Sequence, residues 1–282
     1  ASSLHPGAVT IPAALAICEA RGLSGKDLIT AIVAGYEVGI RIGICAGLPH
    51  KLKGFHITGT GGSIAAAAAA AKALKLSNDA CADALGLGAT QAAGIYSARK
   101  GAMAKRFHAG GAAHSGVLAG YLAERGFTGS KEAIEAEYGG FMSSFSDNAD
   151  LSILTDDLGT KWHICDTGFK AYASCASSHT TIDCIDELMR KGLTAETLKK
   201  LIIYMSKPGL TNVGWEYVPS GIVGAQMNGY FISSLKLIDD EVFIHQFTEE
   251  RIKDPKILAF TKKIEILHDP EIDKGGQAKR HK

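Results

Sequence analysis

A surplus of either charge is what the sequence most clearly lacks. Lys+Arg 30 stand against Asp+Glu 29, a formal net charge of +1. No whole-surface field draws nucleic acid or anionic lipid, so neither is expected as a partner, and only a local anion site remains open. Aromatic residues are scarce, at 7%. Six cysteines, at positions 18, 45, 81, 165, 175 and 184, include no Cys-x-x-Cys pair and lie mostly within apolar runs. They read as reduced, buried thiols of a cytoplasmic protein, not as a disulfide frame. The first fifteen residues, ASSLHPGAVTIPAAL, have neither the basic start nor the apolar core of a signal peptide. The long uncharged stretch over 54–71 is Gly, Ala, Thr and Ser around a histidine, so no membrane span is expected.

What is present fits a folded globular chain: 282 residues, 46% hydrophobic and 21% charged. Glycine accounts for 33 of them, well above the usual share of about 7%. With few aromatics, the core has to be built from small side chains, which favours close helix-to-helix contact.

The first half reads as successive helices. Pro12 opens a run to about Gly22. Ser24, with Asp27 three residues on, forms a capping-box start for a helix carrying Leu28, Ile32, Tyr36 and Ile40. GTGGSIAAAAAAAKALKL follows, then a segment capped by Ser77 and running to about Gly94. A further helix covers about Ala104 to Arg125, and Ser130 opens a short one ending at Gly139 and Gly140. No strand-like alternation occurs before residue 160. The character changes at Asp156-Asp157-Leu158-Gly159, after which KLIIYMSK (200–207) and KIEILHD (263–269) alternate as strands do. Helices are expected at about Ser178–Lys191 and Val223–Ile238. The predicted fold is mainly α, a large helical domain with a smaller α+β lid. The expected boundaries are 1–158 helical, 159–220 lid, 221–261 return to the helical domain, and 262–282 lid strand and tail.

Three segments carry candidate chemistry. His56 and the turn Thr58-Gly59-Thr60-Gly61-Gly62 stand directly before a helix, where free N–H groups and the dipole suit a carboxylate or phosphate. The bland reading is a glycine turn that lets two helices approach. It is no dinucleotide fingerprint, because Ile64 replaces the third glycine and no strand precedes it. Lys105 and His108 are three apart, hence on one helix face, ahead of Gly110, Gly111, Ala112 and Ala113, which leave room over the next turn. They fit either an anion-binding, proton-moving site or a solvated basic face. Lys170, Cys175 and His179 cluster before a helix. Cys175 and His179 have the spacing of a metal pair or a Cys/His nucleophile, but no second element completes either, and a structural thiol is the simpler reading. His5 reads as a terminal bystander, the remaining histidines as surface or core, and Trp162 and Trp215 as packing residues.

Taken in order, LHPGAVTIPAALA, FHITGTGGSIAAAAAAAKAL, AMAKRFHAGGAAHSGVLAGYLA, EAEYGGF, FKAYASCASSHTTID, GAQMNGYF and QFTEERIKDPKILA make a recognisable series. The sequence resembles the MmgE/PrpD family over essentially its whole length. That family includes 2-methylcitrate dehydratase, cis-aconitate decarboxylase and iminodisuccinate epimerase. The resemblance implies a helical domain with an α+β lid, a homodimer, and a site between domains that uses no metal or cofactor.

By the same resemblance, His5, His56, Lys105 and His108 fall at catalytic positions, and Lys170 matches the lysine of the lid segment. Thr58, Cys175 and Tyr230 are the further substrate-binding candidates. Two positions depart from the pattern: Cys175 falls where some members have a catalytic histidine, and Phe231 where many have a tyrosine, with Tyr230 one place earlier. The family also carries a helical stretch with an acidic motif before His5 and more lid sequence after Lys282, so a fragment or truncated homologue is expected. The implied chemistry is formation or quenching of a carbanion beside a carboxylate. A lyase of the 2-methylcitrate dehydratase type is the leading expectation. Decarboxylation of cis-aconitate or isomerisation of a related polycarboxylate is the nearest alternative, and a non-catalytic homologue that binds polycarboxylate or only dimerises is the other.

Overall fold

A computed structural model describes residues 2–274 and divides the chain into two compact units. One comprises Ala1–Ser97 with Ala104–Thr167, the other Ala98–Met103 with Gly168–Lys282. Most described residues in regular structure are helical, and the strands are two and short, so the fold is mainly α as expected.

The first unit is organised around one buried helix. Helices α1 (Pro6–Arg21), α2 (Gly25–Leu52), α4 (Asn78–Thr90) and α5 (Ala104–Glu124) all pack on α3 (Ile57–Ala73), and α6 (Phe141–Phe145) packs on α2. Every α3 residue from Ile57 to Ala71 is buried. The alanine run is therefore the core itself, surfaced with methyl groups so that neighbouring backbones approach closely. Gly116 of α5 shows how closely: a Cβ there would lie 2.3 Å from the Ala66 methyl and 2.5 Å from Ala67 N.

Local signals account for several boundaries. Ser24 and Asp27 form the expected capping box, Ser24 Oγ accepting from Asp27 N–H at 3.2 Å and Asp27 from Ser24 N–H at 3.1 Å. Ser77 caps α4. Other boundaries differ from expectation. Helix α1 starts at Pro6, not Pro12, because His5 takes the cap position and Pro6 the first turn, leaving Pro12 in the interior. Helix α2 runs on to Leu52 across a kink at Gly47. Residues 131–139 form turns and no helix: Phe141 and Met142 N–H groups reach back to the Ala133 and Ile134 carbonyls, folding the segment onto itself. Before residue 160 the described residues pair only at an isolated bridge, Phe55 with Ile95.

Helix α2 is long and apolar enough to cross a membrane by length and composition, and half of its most apolar window is buried inside the unit. Its buried Glu37 and Arg41 pair at 2.8 Å. Arg41 also donates to the carbonyls of Ile153, Asp156 and Lys161, while Glu37 accepts from His163 N–H at 2.8 Å. These bonds hold 153–163 on α2, which is why the division falls after Thr167 and not at 158–159.

The second unit contains α7 (His179–Arg190), β1 (Leu201–Met205), α8 (Lys207–Val213), α9 (Ile222–Gln226), α10 (Gly229–Asp239), α11 (Pro255–Thr261), β2 (Ile264–His268) and α12 (Pro270–Lys274). Strands β1 and β2 pair in parallel, Leu201 opposite Ile264 through Met205 opposite His268. Ile182, Phe231, Ile232, Leu235, Ile252 and Ile257 form one buried cluster. Residues 221–261 thus share the core of 168–220, where a return to the helical domain is expected from sequence. The helix expected over 223–238 breaks at Met227–Asn228, because Asn228 caps α10 through Phe231 N–H and donates to the Trp215 carbonyl. Of the expected final lid segment, 275–282 lie outside the described residues. The six cysteines are free thiols, but Cys165 and Cys184 are exposed and only Cys18 and Cys45 are fully buried. The apolar runs around the exposed pair are turn or outward helix surface. Trp162, expected to pack, is also exposed.

Gly116→Ala should lower stability by about 1–3 kcal/mol or more through overpacking. Gly110→Ala, whose Cβ meets nothing within 4 Å on the same helix, should leave it unchanged or raise it by up to about 1 kcal/mol. Urea denaturation of both variants checks the contrast.

Candidate active site

The first unit gathers imidazoles at the buried start of α3. His56 is its N-cap residue and spends only backbone on capping: its carbonyl accepts from Gly59 and Thr60 N–H at 2.8 and 3.1 Å. Its own N–H donates to the Gly94 carbonyl at 3.1 Å. The ring is thereby left for other work, and Nδ1 lies 3.0 Å from Nδ1 of His108. Glycine makes that approach possible. A Cβ on Gly59 would stand 2.4 Å from the Ala93 carbonyl oxygen and 3.3 Å from His108 Cβ, and Gly94 sits at φ +146°.

His5, as N-cap of α1, reaches the same point. Its N–H donates to Thr58 Oγ1 at 3.2 Å, and its Nδ1 is 2.8 Å from that oxygen. The His5 and His56 ring centroids are 6.1 Å apart, and the Tyr96 ring is 5.6 Å from His56. Beneath them, buried His50 bonds through Nε2 to Thr60 Oγ1 at 3.0 Å and packs among Phe55, Phe141 and Phe145.

The electrostatics favour neutral rings. Burial, then the Lys105 ammonium and the neighbouring imidazoles, hold His56 down at about 3. His108 is lowered by burial and then by Lys105. His50 is lowered to about 4, mainly by burial. An Nδ1-to-Nδ1 hydrogen bond needs one N–H and one lone pair, so two neutral rings satisfy it and two imidazolium ions cannot. His50, His56 and His108 are thus neutral imidazoles, the last two beside the Lys105 cation, and the His56–His108 pair can move a proton or donate hydrogen bonds without carrying charge.

Of the predicted residues, His5, His56, Thr58 and His108 come together here, with Lys105 one turn before His108 on α5. The room expected after His108 is only partly present. Gly110 faces open space, Gly111 lies against the Phe107 ring, and Ala112 and Ala113 are packed on α1 and α3. His5 is no disordered bystander, since Thr58 fixes it. Lys170, Cys175 and Tyr230 belong to the second unit. Lys170 is exposed, its Nζ donating to the Ser174 carbonyl at 3.1 Å. Cys175 is half-buried and donates its N–H to the Gln226 carbonyl at 2.9 Å. Tyr230 is half-buried on α10, whereas Phe231 is wholly buried between Tyr217 and Phe247. Among the described residues no three His, Cys, Asp or Glu side chains gather as a metal-binding group. Sequence reasoning missed Tyr96, His50 and Gly94. Only the glycine after α4 signalled a turn, and nothing in the spacing of His50 and Thr60, across the turn at Lys53–Gly54, marks their contact.

Two family models cover this architecture: the MmgE/PrpD N-terminal domain matches residues 1–154 and the C-terminal domain residues 172–282. The chain belongs to the MmgE/PrpD family. Similar proteins include the cis-aconitate decarboxylase of Aspergillus terreus (strain NIH 2624 / FGSC A1156), 30% identical over 97% of this chain and 60% of the relative. The cis-aconitate decarboxylase of Homo sapiens is 29% identical over 95% of this chain and 57% of its own length. The chain thus spans about three fifths of the length of the curated relatives it matches.

Because His50 and His56 are held below the ordinary value of about 6.5, the unfolded chain binds more protons than the folded one as pH falls. Stability should therefore drop from about pH 6.5 towards 4, by about 1.4 kcal/mol per pH unit for each ring. Urea melts at several pH values should show the decline, shallower in His56→Gln.

Proposed function

We propose that this MmgE/PrpD protein is a cofactor-independent lyase that handles a carbanion beside a carboxylate of a small polycarboxylate. The observation that carries the reading is the neutral His56–His108 pair under the charge of Lys105. Charge growing on the substrate carboxylate needs fixed positive and hydrogen-bonding groups, which Lys105 and the imidazoles supply. Proton movement at carbon needs a titratable group that is not locked as a cation, which the pair supplies. Thr58 is a further contact within the same unit, while Lys170, Cys175 and Tyr230 are substrate-binding positions by family resemblance alone.

Decarboxylation of cis-aconitate is the leading reading, supported by the names of the relatives. The C–C bond to the departing carboxylate breaks, its electron pair passes into the adjacent C=C–carboxylate system, and CO₂ leaves. One proton then adds at carbon, giving an unsaturated five-carbon dicarboxylate. Dehydration of a 2-methylcitrate-type hydroxy acid is the second reading. It is favoured by Cys175 and by Phe231, whose buried phenyl ring offers no proton where the family resemblance places a phenol. There the pair removes the C–H proton, the electron pair left on carbon forms the C=C bond as the C–O bond breaks, and the pair returns one proton to the departing hydroxide, which leaves as water. We further infer a homodimer working in the cytoplasm, a compartment that suits six free thiols.

Proton NMR in D₂O with cis-aconitate, 2-methylcitrate, citrate and iminodisuccinate tests the reading. Conversion of cis-aconitate to a deuterated five-carbon product is expected, with turnover at least about 100-fold lower in Lys105→Ala. Loss of water from 2-methylcitrate alone would select the second reading. Silence on all four substrates from folded protein would exclude both for this chain and leave binding without turnover.

A further inference from the structure

The hydrogen bonds of the cluster divide its labour. Thr58 is 2% exposed, so its hydroxyl proton needs a protein acceptor. Its oxygen already accepts the His5 backbone N–H at 3.2 Å, and the remaining bond is to His5 Nδ1 at 2.8 Å. If Nδ1 carried a proton, Thr58 would accept twice and its own buried proton would lack a partner. With the proton on Thr58 and the lone pair on Nδ1, every group is satisfied. A neutral His5 then carries its ring proton on Nε2.

We propose that Thr58 locks His5 as a neutral Nε2–H hydrogen-bond donor to the substrate carboxylate, so that proton transfer at carbon falls to the His56–His108 pair. This rests on the lyase reading for its substrate, but not for its tautomers. In the pair, one Nδ1–H donates to the other Nδ1, so the two outer nitrogens comprise one N–H and one lone pair. That lone pair is the base. When a substrate C–H bond breaks, the new N–H forms there, the electron pair stays on carbon, and the pair goes from two ring protons to three. Quenching of the carbanion runs the same step backwards. His5 exchanges no proton: it offers an N–H to oxygen charge, the role a tautomer-locked neutral imidazole serves well. Thr58 is then a positioning residue acting through His5.

The test is ¹⁵N NMR of the histidine-labelled full chain at pH 7.5, with His5 assigned by its loss in His5→Gln. The expected spectrum shows His5 Nε2 protonated and Nδ1 unprotonated and hydrogen-bonded. Thr58→Val should move the Nδ1 resonance, Thr58→Ser should restore it, and the His56 and His108 signals should stay in place as the check on folding. An imidazolium or an Nδ1–H form of His5 in the wild type would overturn the proposal, as would an unmoved Nδ1 resonance in a folded Val variant. Where the chain turns over a substrate, Thr58→Val should lower kcat about tenfold or more and leave the acid limb of the pH profile in place. A shifted limb would reassign the base to His5. If no substrate reacts, the lyase reading fails while the tautomers still decide the role of Thr58.

Discussion

The approach of α3 to its four neighbours is the constraint on which the first unit depends. A helix buried at every residue from Ile57 to Ala71 can present almost nothing larger than a methyl group if four helices are to pack on it. Ile57 and Ile64 are the only large apolar side chains in it, and Lys72 is its one exposed residue. Each alanine contributes little transfer free energy, so the cohesion comes from many close contacts of backbone with backbone. Such a core has little capacity to yield, which explains why Gly35, Gly88 and Gly116 all stand where a Cβ would meet α3 within 3 Å.

The same stiffness positions the imidazoles. His56 is the residue that starts α3, Thr58 lies in its first turn, and His108 comes from α5, which rests on it. His5 starts α1, which rests on it as well. Three rings are thus set by the ends of helices whose spacing cannot drift. Burial supplies the second half of the arrangement. It makes the charged forms of His56 and His108 costly, and Lys105 adds repulsion, so these two rings stay neutral and the hydrogen bond between them needs one N–H and one lone pair.

What could be read in advance follows from how local each signal is. The Ser24 and Ser77 caps, the extent of α5 and both strands lie in short patterns, and each appears where its pattern places it. The start of α1 could not be read that way, because Pro6 and Pro12 are equally good first-turn residues and the choice is made by the His5–Thr58 contact, 53 positions apart. The turns at 131–139 are closed by Phe141 and Met142 bonding back to Ala133 and Ile134, and the Thr167 boundary is set by long-range bonds, Arg41 reaching three carbonyls. For the site, the residues known by family resemblance fall in two sets. His5, His56, Thr58, Lys105 and His108 sit together in the first unit, while Lys170, Cys175 and Tyr230 lie in the second. Tyr96 escaped because a ring contact at 5.6 Å leaves no mark on sequence spacing.

The neutrality of the cluster also bears on how a polycarboxylate would be held. A site already filled with imidazolium would bind an anion tightly before and during the reaction alike, which lowers the ground state along with the transition state and gives no acceleration. Neutral donors interact more strongly as charge concentrates on the oxygen they face, so their effect grows towards the carbanion. Lys105 provides the constant attraction that brings the anion in. It also keeps the neighbouring rings from taking up protons in the empty site, and a bound carboxylate opposes that influence by drawing the imidazole pKa values back up. In the proposed reaction, substrate binding itself therefore moves the His56–His108 pair towards the protonated state from which a carbanion can be quenched.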